Sequence, residues 1–134
     1  MVTLIGMGSG SWEALSVQAQ DAVRRAGLVF GAKRLLAGLP PECTARQFAL
    51  YQPAEILETL AQAPGQDAAV LYSGDTGFYS GASGLLTPLR ALGIPARVYP
   101  GVSSIQLLAA ALGRPWQDWK LVSAHGCACD PVAE

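Results

Sequence analysis

The 134-residue sequence has a single histidine, His125, and contains neither a Gly-Lys-Ser/Thr tripeptide nor a Gly-x-Ser-x-Gly elbow. Without the tripeptide there is no lysine placed at the end of a phosphate-binding loop, which excludes a P-loop enzyme. Without the elbow, and with its one imidazole near the end of the chain, a serine-hydrolase triad has no support. Charge of either sign is also scarce: 9 Lys and Arg stand against 10 Asp and Glu, for a formal net charge of −1. The cations are scattered, so no basic stripe points to nucleic acid. No apolar run approaches the roughly 18 residues of a membrane span, and MVTLIGMGSG lacks the charged start and long apolar stretch of a secretion signal. A cytoplasmic protein that uses neither nucleic acid nor membrane is expected.

Cysteine is sparse and uneven. Cys43, Cys127 and Cys129 form no even framework, which suits a reducing compartment. His125, Cys127 and Cys129 lie close together, but their spacing is not that of a zinc motif and a fourth ligand is missing, so no metal site is expected. Apolar residues, by contrast, make up 51% of the chain and charged ones 14%, an apolar balance for a free-standing domain. It suggests a face meant for another domain or subunit.

The patterning alternates between strand and helix. Residues 2–5 read as a strand, and a helix begins at once at Trp12, with Leu15, Ala19, Ala22 and Val23 on one side and Gly27 just past its end. Strands follow at 28–30 and 46–50, with a short helix between them within 31–38. Pro53 opens a helix that turns Ile56, Leu57 and Leu60 inward. The organising stretch is 68–81, AAVLYSGDTGFYSG: a buried strand through Val70, Leu71 and Tyr72 that runs into a polar, glycine-rich turn. Then come a helix over 82–92, kinked or started late by Pro88, a strand at 96–99, an apolar helix at 105–112 and a last strand at 119–123. Trp116 and Trp119 near its start read as core or interface packing. Such alternation predicts an α/β fold, a mostly parallel sheet flanked by helices.

Three glycine- or serine-rich loops, 6–11, 73–81 and 100–104, follow strands. In a parallel sheet all three open on one edge, where ligands of α/β proteins sit. Taken singly, each also reads as a tight turn with capping serines, and Asp75 as a helix N-cap. The first loop fails as a dinucleotide fingerprint. Ser11 stands at the sixth position, and the second strand ends in Gly31, Ala32 and Lys33 where an acidic ribose ligand belongs.

Together, GMGSGSWEALSVQAQDAVRRAGLVFGAKRLL, VLYSGDTGFYSGA and YPGVSSIQLLAAALGRPWQDWKLVSAHG resemble the tetrapyrrole (corrin and porphyrin) methylase family. Within it, the chain is similar to the group of precorrin-6Y and cobalt-precorrin-7 C5-methyltransferases of cobalamin biosynthesis. The resemblance implies a two-domain α/β methylase, commonly a homodimer, that binds S-adenosylmethionine between its domains and methylates a corrin precursor. On that basis residues 1–123 are the N-terminal domain and 124–134 the start of a linker to a second domain outside this chain, and the chain alone is expected to be inactive. By position, Ser73, Gly74, Asp75, Phe78, Ser103 and Ser104 would contact the cofactor. Asp75 would face its sulfonium or amino group, and Gly8, Ser9 and Gly10 would face the tetrapyrrole. No residue is named as a catalytic base; Tyr79 and His125 read either as aids to proton movement or as structural residues. Ser9 and Ser11 depart from the family's usual Gly-x-Gly-Pro-Gly-Asp, and Thr76 replaces the proline usual after Ser-Gly-Asp. A different class remains open beside it: a non-catalytic small-ligand-binding module on the same scaffold.

Overall fold

A computed structural model describes residues 1–78 and 80–122. Five strands, β1 (Val2–Gly6), β2 (Leu28–Phe30), β3 (Arg46–Phe48), β4 (Ala68–Tyr72) and β5 (Ala96–Tyr99), form one sheet in the order β3-β2-β4-β1-β5. Every pairing is parallel, with Leu4 beside Val70 and Val98 and with Phe30 beside Val70 and Phe48. The expected α/β architecture is the one observed.

Strand periodicity divides the core in two. Leu4, Phe30 and Val70 turn to one face and pack with Ile56 and Leu60 of α3 (Pro53–Ala61) and Leu85 and Leu89 of α4 (Ala82–Ala91). Their neighbours Ile5, Val29 and Leu71 turn to the other face, against Ala19 and Val23 of α1 (Val17–Arg25) and Leu35 and Leu36 of α2 (Lys33–Ala37). Both faces are covered, which is why these strands read as continuous apolar runs rather than alternating ones.

The first helix starts later than its apolar spacing suggests. Trp12–Ala14 is a single 3-10 turn, and α1 begins only after Ser16, whose hydroxyl accepts from the Ala19 N–H at 3.2 Å. That side-chain cap satisfies one of the helix's orphan donors and fixes the start. Trp12 is held against the helix instead, with its carbonyl accepting from Gln20 Nε2 at 3.0 Å and the Arg24 guanidinium 5.4 Å from its ring centroid. β3 ends at Phe48 rather than Leu50 because its partner β2 has only three residues to pair. α4 runs from Ala82 straight through Pro88, so the proline does not delay its start.

Met1–Ser104 form one compact unit, and a second begins at Ile105. α5 (Ser104–Leu112) starts on the last residue of the first unit and is followed by Gly113 at φ 65°, the left-handed residue expected just past a helix end. Residues 119–122, expected as the beginning of a strand, are not one. Strand identity comes from a hydrogen-bonded partner, and an apolar pattern does not supply one. Trp116 is 40% exposed rather than a core residue. Ser123, His125, Cys127, Cys129 and Tyr79 lie outside the described residues. No helix among the described residues is long and apolar enough to cross a membrane.

Candidate functional site

The strand order sets where a site can form. From β1 the chain winds outward to β2 and β3, both crossovers lying on the α1/α2 face; from β3 it returns to β4 and goes on to β5 over the α3/α4 face. β1 and β4 are therefore neighbours whose outgoing connections leave in opposite directions. The edge beyond their carboxyl ends is the topological switch point, where open α/β sheets bind ligands.

All three expected loops meet there. The Gly8 N–H donates to Gly74 O at 3.1 Å and the Gly74 N–H donates to Gly8 O at 2.9 Å, a two-bond bridge from the β1 loop to the β4 loop. Gly74 adopts φ 66°, which a side chain would strain. The β5 loop closes the cluster: Val102 lies within 4 Å of the Cβ position of Gly8, and the Ser103 Cα 3.9 Å from that of Gly74. The strand ends themselves are packed backbone to backbone. A Cβ on Gly6 would stand 2.6 Å from Gly101 N and 2.7 Å from Gly74 O.

Asp75 lies between two of these loops. Its Oδ1 accepts from the Gly101 N–H at 3.0 Å and its Oδ2 from the Gly77 N–H at 3.2 Å. It is not the N-cap of α4, which starts seven residues later after Gly81, with the Ser80 hydroxyl accepting from the Ala82 N–H at 3.2 Å. Thr76 is buried, and its hydroxyl donates to Tyr99 O at 3.3 Å, a bond proline has no donor to make. Phe78 is half-buried and closes the turn through its N–H to Asp75 O at 3.4 Å.

The sequence-predicted residues thus come together, though not all in the same setting. Ser9, Ser73 and Ser104 are exposed, Gly8, Gly10, Gly74, Asp75 and Phe78 half-exposed, and Ser103 buried. The Arg34 guanidinium, on the exposed side of α2, lies 3.4 Å from the Cβ position of Gly10 and so lines the same loop. Sequence reasoning put Gly6, Thr76 and Gly101 within the three loops but gave none of them a part of its own in the site. Gly6 and Gly101 flank the carboxyl ends of adjacent strands, and that placement was the available signal. Tyr72, the last residue of β4, has its hydroxyl buried without a hydrogen-bond partner among the described residues, and burial pushes its pKa up to about 12.

This arrangement has counterparts among known proteins. Residues 1–134 match the family model described as Tetrapyrrole (Corrin/Porphyrin) Methylases. The chain is 34% identical over 128 residues to the cobalt-precorrin-7 C(5)-methyltransferase of Salmonella typhimurium, covering 94% of this chain and 62% of that protein. It is 32% identical over 133 residues to the decarboxylating precorrin-6Y C(5,15)-methyltransferase of a Sinorhizobium species, covering 98% of this chain and 32% of the relative. Among solved structures, the uroporphyrin-III C-methyltransferase of Thermus thermophilus complexed with S-adenyl homocysteine superposes with a TM-score of 0.67 at 25% identity, over 92% of this chain and 52% of that one.

Proposed function

The chain belongs to the tetrapyrrole methylase family, and from that premise we propose that it forms one wall of the cofactor site of an S-adenosylmethionine-dependent C-methyltransferase. The proposed acceptor is C5 of a corrin precursor, precorrin-6Y or cobalt-precorrin-7. The observation that carries this reading is the meeting of the three loops at the switch point, in a chain whose relatives include C5-methyltransferases.

S-Adenosylmethionine supplies an electrophilic methyl group on a sulfonium centre. The residues present fit such a ligand. The Gly74 backbone, free of a side chain, together with the exposed hydroxyls of Ser73 and Ser104, gives a polar rim that admits a ligand closely. Asp75, Phe78 and Ser103 belong to the same rim, and Gly8, Ser9 and Gly10 form the side turned to the tetrapyrrole. What these residues contribute is alignment. Transfer to a carbon that is already an enamine-like nucleophile is promoted chiefly by holding donor and acceptor in line. No base or metal is assigned.

We take residues 1–123 to be the N-terminal domain of a cytoplasmic homodimer, with 124–134 entering a linker. The chain spans 62% of the length of the Salmonella relative, and this reading assigns the facing wall to a second domain. Calorimetric titration of S-adenosylhomocysteine into this chain, and into the chain continued through a second domain, tests the reading. Binding to the continued chain alone supports a shared trough. No binding to either overturns the methylase reading and favours a module for another small ligand. With a carbon-labelled methyl donor and the corrin precursor, label at C5 in the product supports the acceptor assignment, and label at another carbon refutes it.

A further inference from the structure

We infer that Asp75 and Thr76 are positioning residues: together they fasten the β4 loop to the end of β5 and set the spacing of the two loops that line the cofactor site. The inference rests on the cofactor reading above but assigns Asp75 a different part from the counter-charge that the resemblance implies.

Two adjacent side chains reach across to one short stretch of backbone. The Thr76 hydroxyl, in a residue only 8% exposed, donates to Tyr99 O, and Asp75 Oδ1 accepts from the Gly101 N–H two residues on. One donates and the other accepts, so each takes a backbone group of the opposite kind. The second oxygen of Asp75 receives the Gly77 N–H and fixes the carboxylate within its own turn. A carboxylate accepting two backbone N–H groups makes charge-assisted bonds, stronger than neutral ones, and turns much of its field toward those donors. The contact it secures is tight: Gly101 approaches Gly6 and Gly74 so closely that neither Gly6 nor Gly101 has room for a Cβ. The Gly8–Gly74 bridge then carries the same constraint to the β1 loop. A displacement at Asp75 therefore reaches both loops that flank it.

A counter-charge and a fastener respond differently to substitution. The chain continued through a second domain is assayed with three ligands: S-adenosylmethionine, which is cationic at sulfur; S-adenosylhomocysteine, which is neutral there; and the deamino analogue of the latter. Asp75→Asn keeps one acceptor oxygen and the size of the side chain but loses the charge. The expected result is that all three affinities fall by a common factor of about ten, with Thr76→Val lowering them together by a smaller common factor. In the 134-residue chain, Asp75→Asn or Asp75→Ala is expected to speed hydrogen exchange of the Gly101 amide about tenfold or more.

A selective loss of S-adenosylmethionine would overturn the inference in favour of a sulfonium counter-charge. A deamino analogue spared by Asp75→Asn would overturn it in favour of an amino-group contact. Unchanged exchange at Gly101 in both Asp75 variants would overturn it outright. Because exchange needs no ligand, it decides the inference even if the unsubstituted protein binds none of the three and the cofactor reading falls.

Discussion

Glycines at the two ends of the sheet meet different surroundings. At the amino end of the strands, Gly65 (φ 81°) and Gly93 (φ 70°) turn the chain in open space, and a Cβ on either would meet nothing within 4 Å. This end is also held by an exposed contact, the Met1 ammonium 3.3 Å from Asp67. At the carboxyl end, Gly6 and Gly101 adopt no positive φ, yet a Cβ on either would strike backbone. Gly65 and Gly93 need glycine for their dihedral angles and Gly6 and Gly101 for its lack of volume, while Gly8, Gly10 and Gly74 put positive φ at the carboxyl end as well. The lesson is that one residue type marks a turn where space is free and a junction where it is not. In this chain the junctions lie where a ligand is proposed to sit.

Substitution separates the two uses. Gly6→Ala forces a methyl group into two loops at once and is expected to cost about 3 kcal/mol, near the top of the range for overpacking, read as a fall in the urea midpoint at unchanged slope. Gly65→Ala meets only the left-handed backbone penalty, about 1 kcal/mol, and leaves cofactor binding by the continued chain unaltered. Equal costs for the two variants would erase the distinction. Asp67→Asn removes an ion pair whose partners are both substantially exposed, and a change below about 0.5 kcal/mol that vanishes in high salt is expected.

Tyr72→Phe, at the carboxyl end, is expected to leave stability at neutral pH nearly unchanged, because the buried hydroxyl it deletes has no hydrogen-bond partner among the described residues. Its effect belongs to alkaline solution. Burial raises the Tyr72 pKa from 10.0 to about 12, so the unfolded chain ionises first as pH rises. Tyr72 therefore leaves stability untouched below pH 10 and lowers it progressively as pH climbs from 10 toward 12, and the phenylalanine variant lacks that slope. Urea midpoints measured across this interval for both proteins provide the check.

Much of the architecture was legible because both faces of the sheet are covered. Val70, Leu71 and their neighbours form apolar runs bounded by glycine, and Pro53 marks the start of α3 directly. The start of α1 was not legible, since Ser9, Ser11 and Ser16 all resemble caps and only Ser16 makes the bond. The stretch 119–122 shows the complementary failure, a strand-like pattern without a strand. At the site, the parallel order made the convergence of three loops predictable. What Asp75 and Thr76 bind was not, because Tyr99 and Gly101 lie far along the chain and no local pattern encodes that meeting.

The position of β1 has a consequence for the timing of folding. Val2 pairs with Ala68 on one side and with Ala96 on the other, so β1 waits for two strands synthesised long after it. Only β2 and β3 find each other early. Closing such long loops is slow, and Leu4, Ile5 and Met7 remain an uncovered apolar segment during synthesis, a target for chaperones and for aggregation alike. A nascent chain halted before Gly101 would lack the contact that locks Gly6 and Gly74 together. The centre of the sheet and the proposed site are thus completed in the same late step.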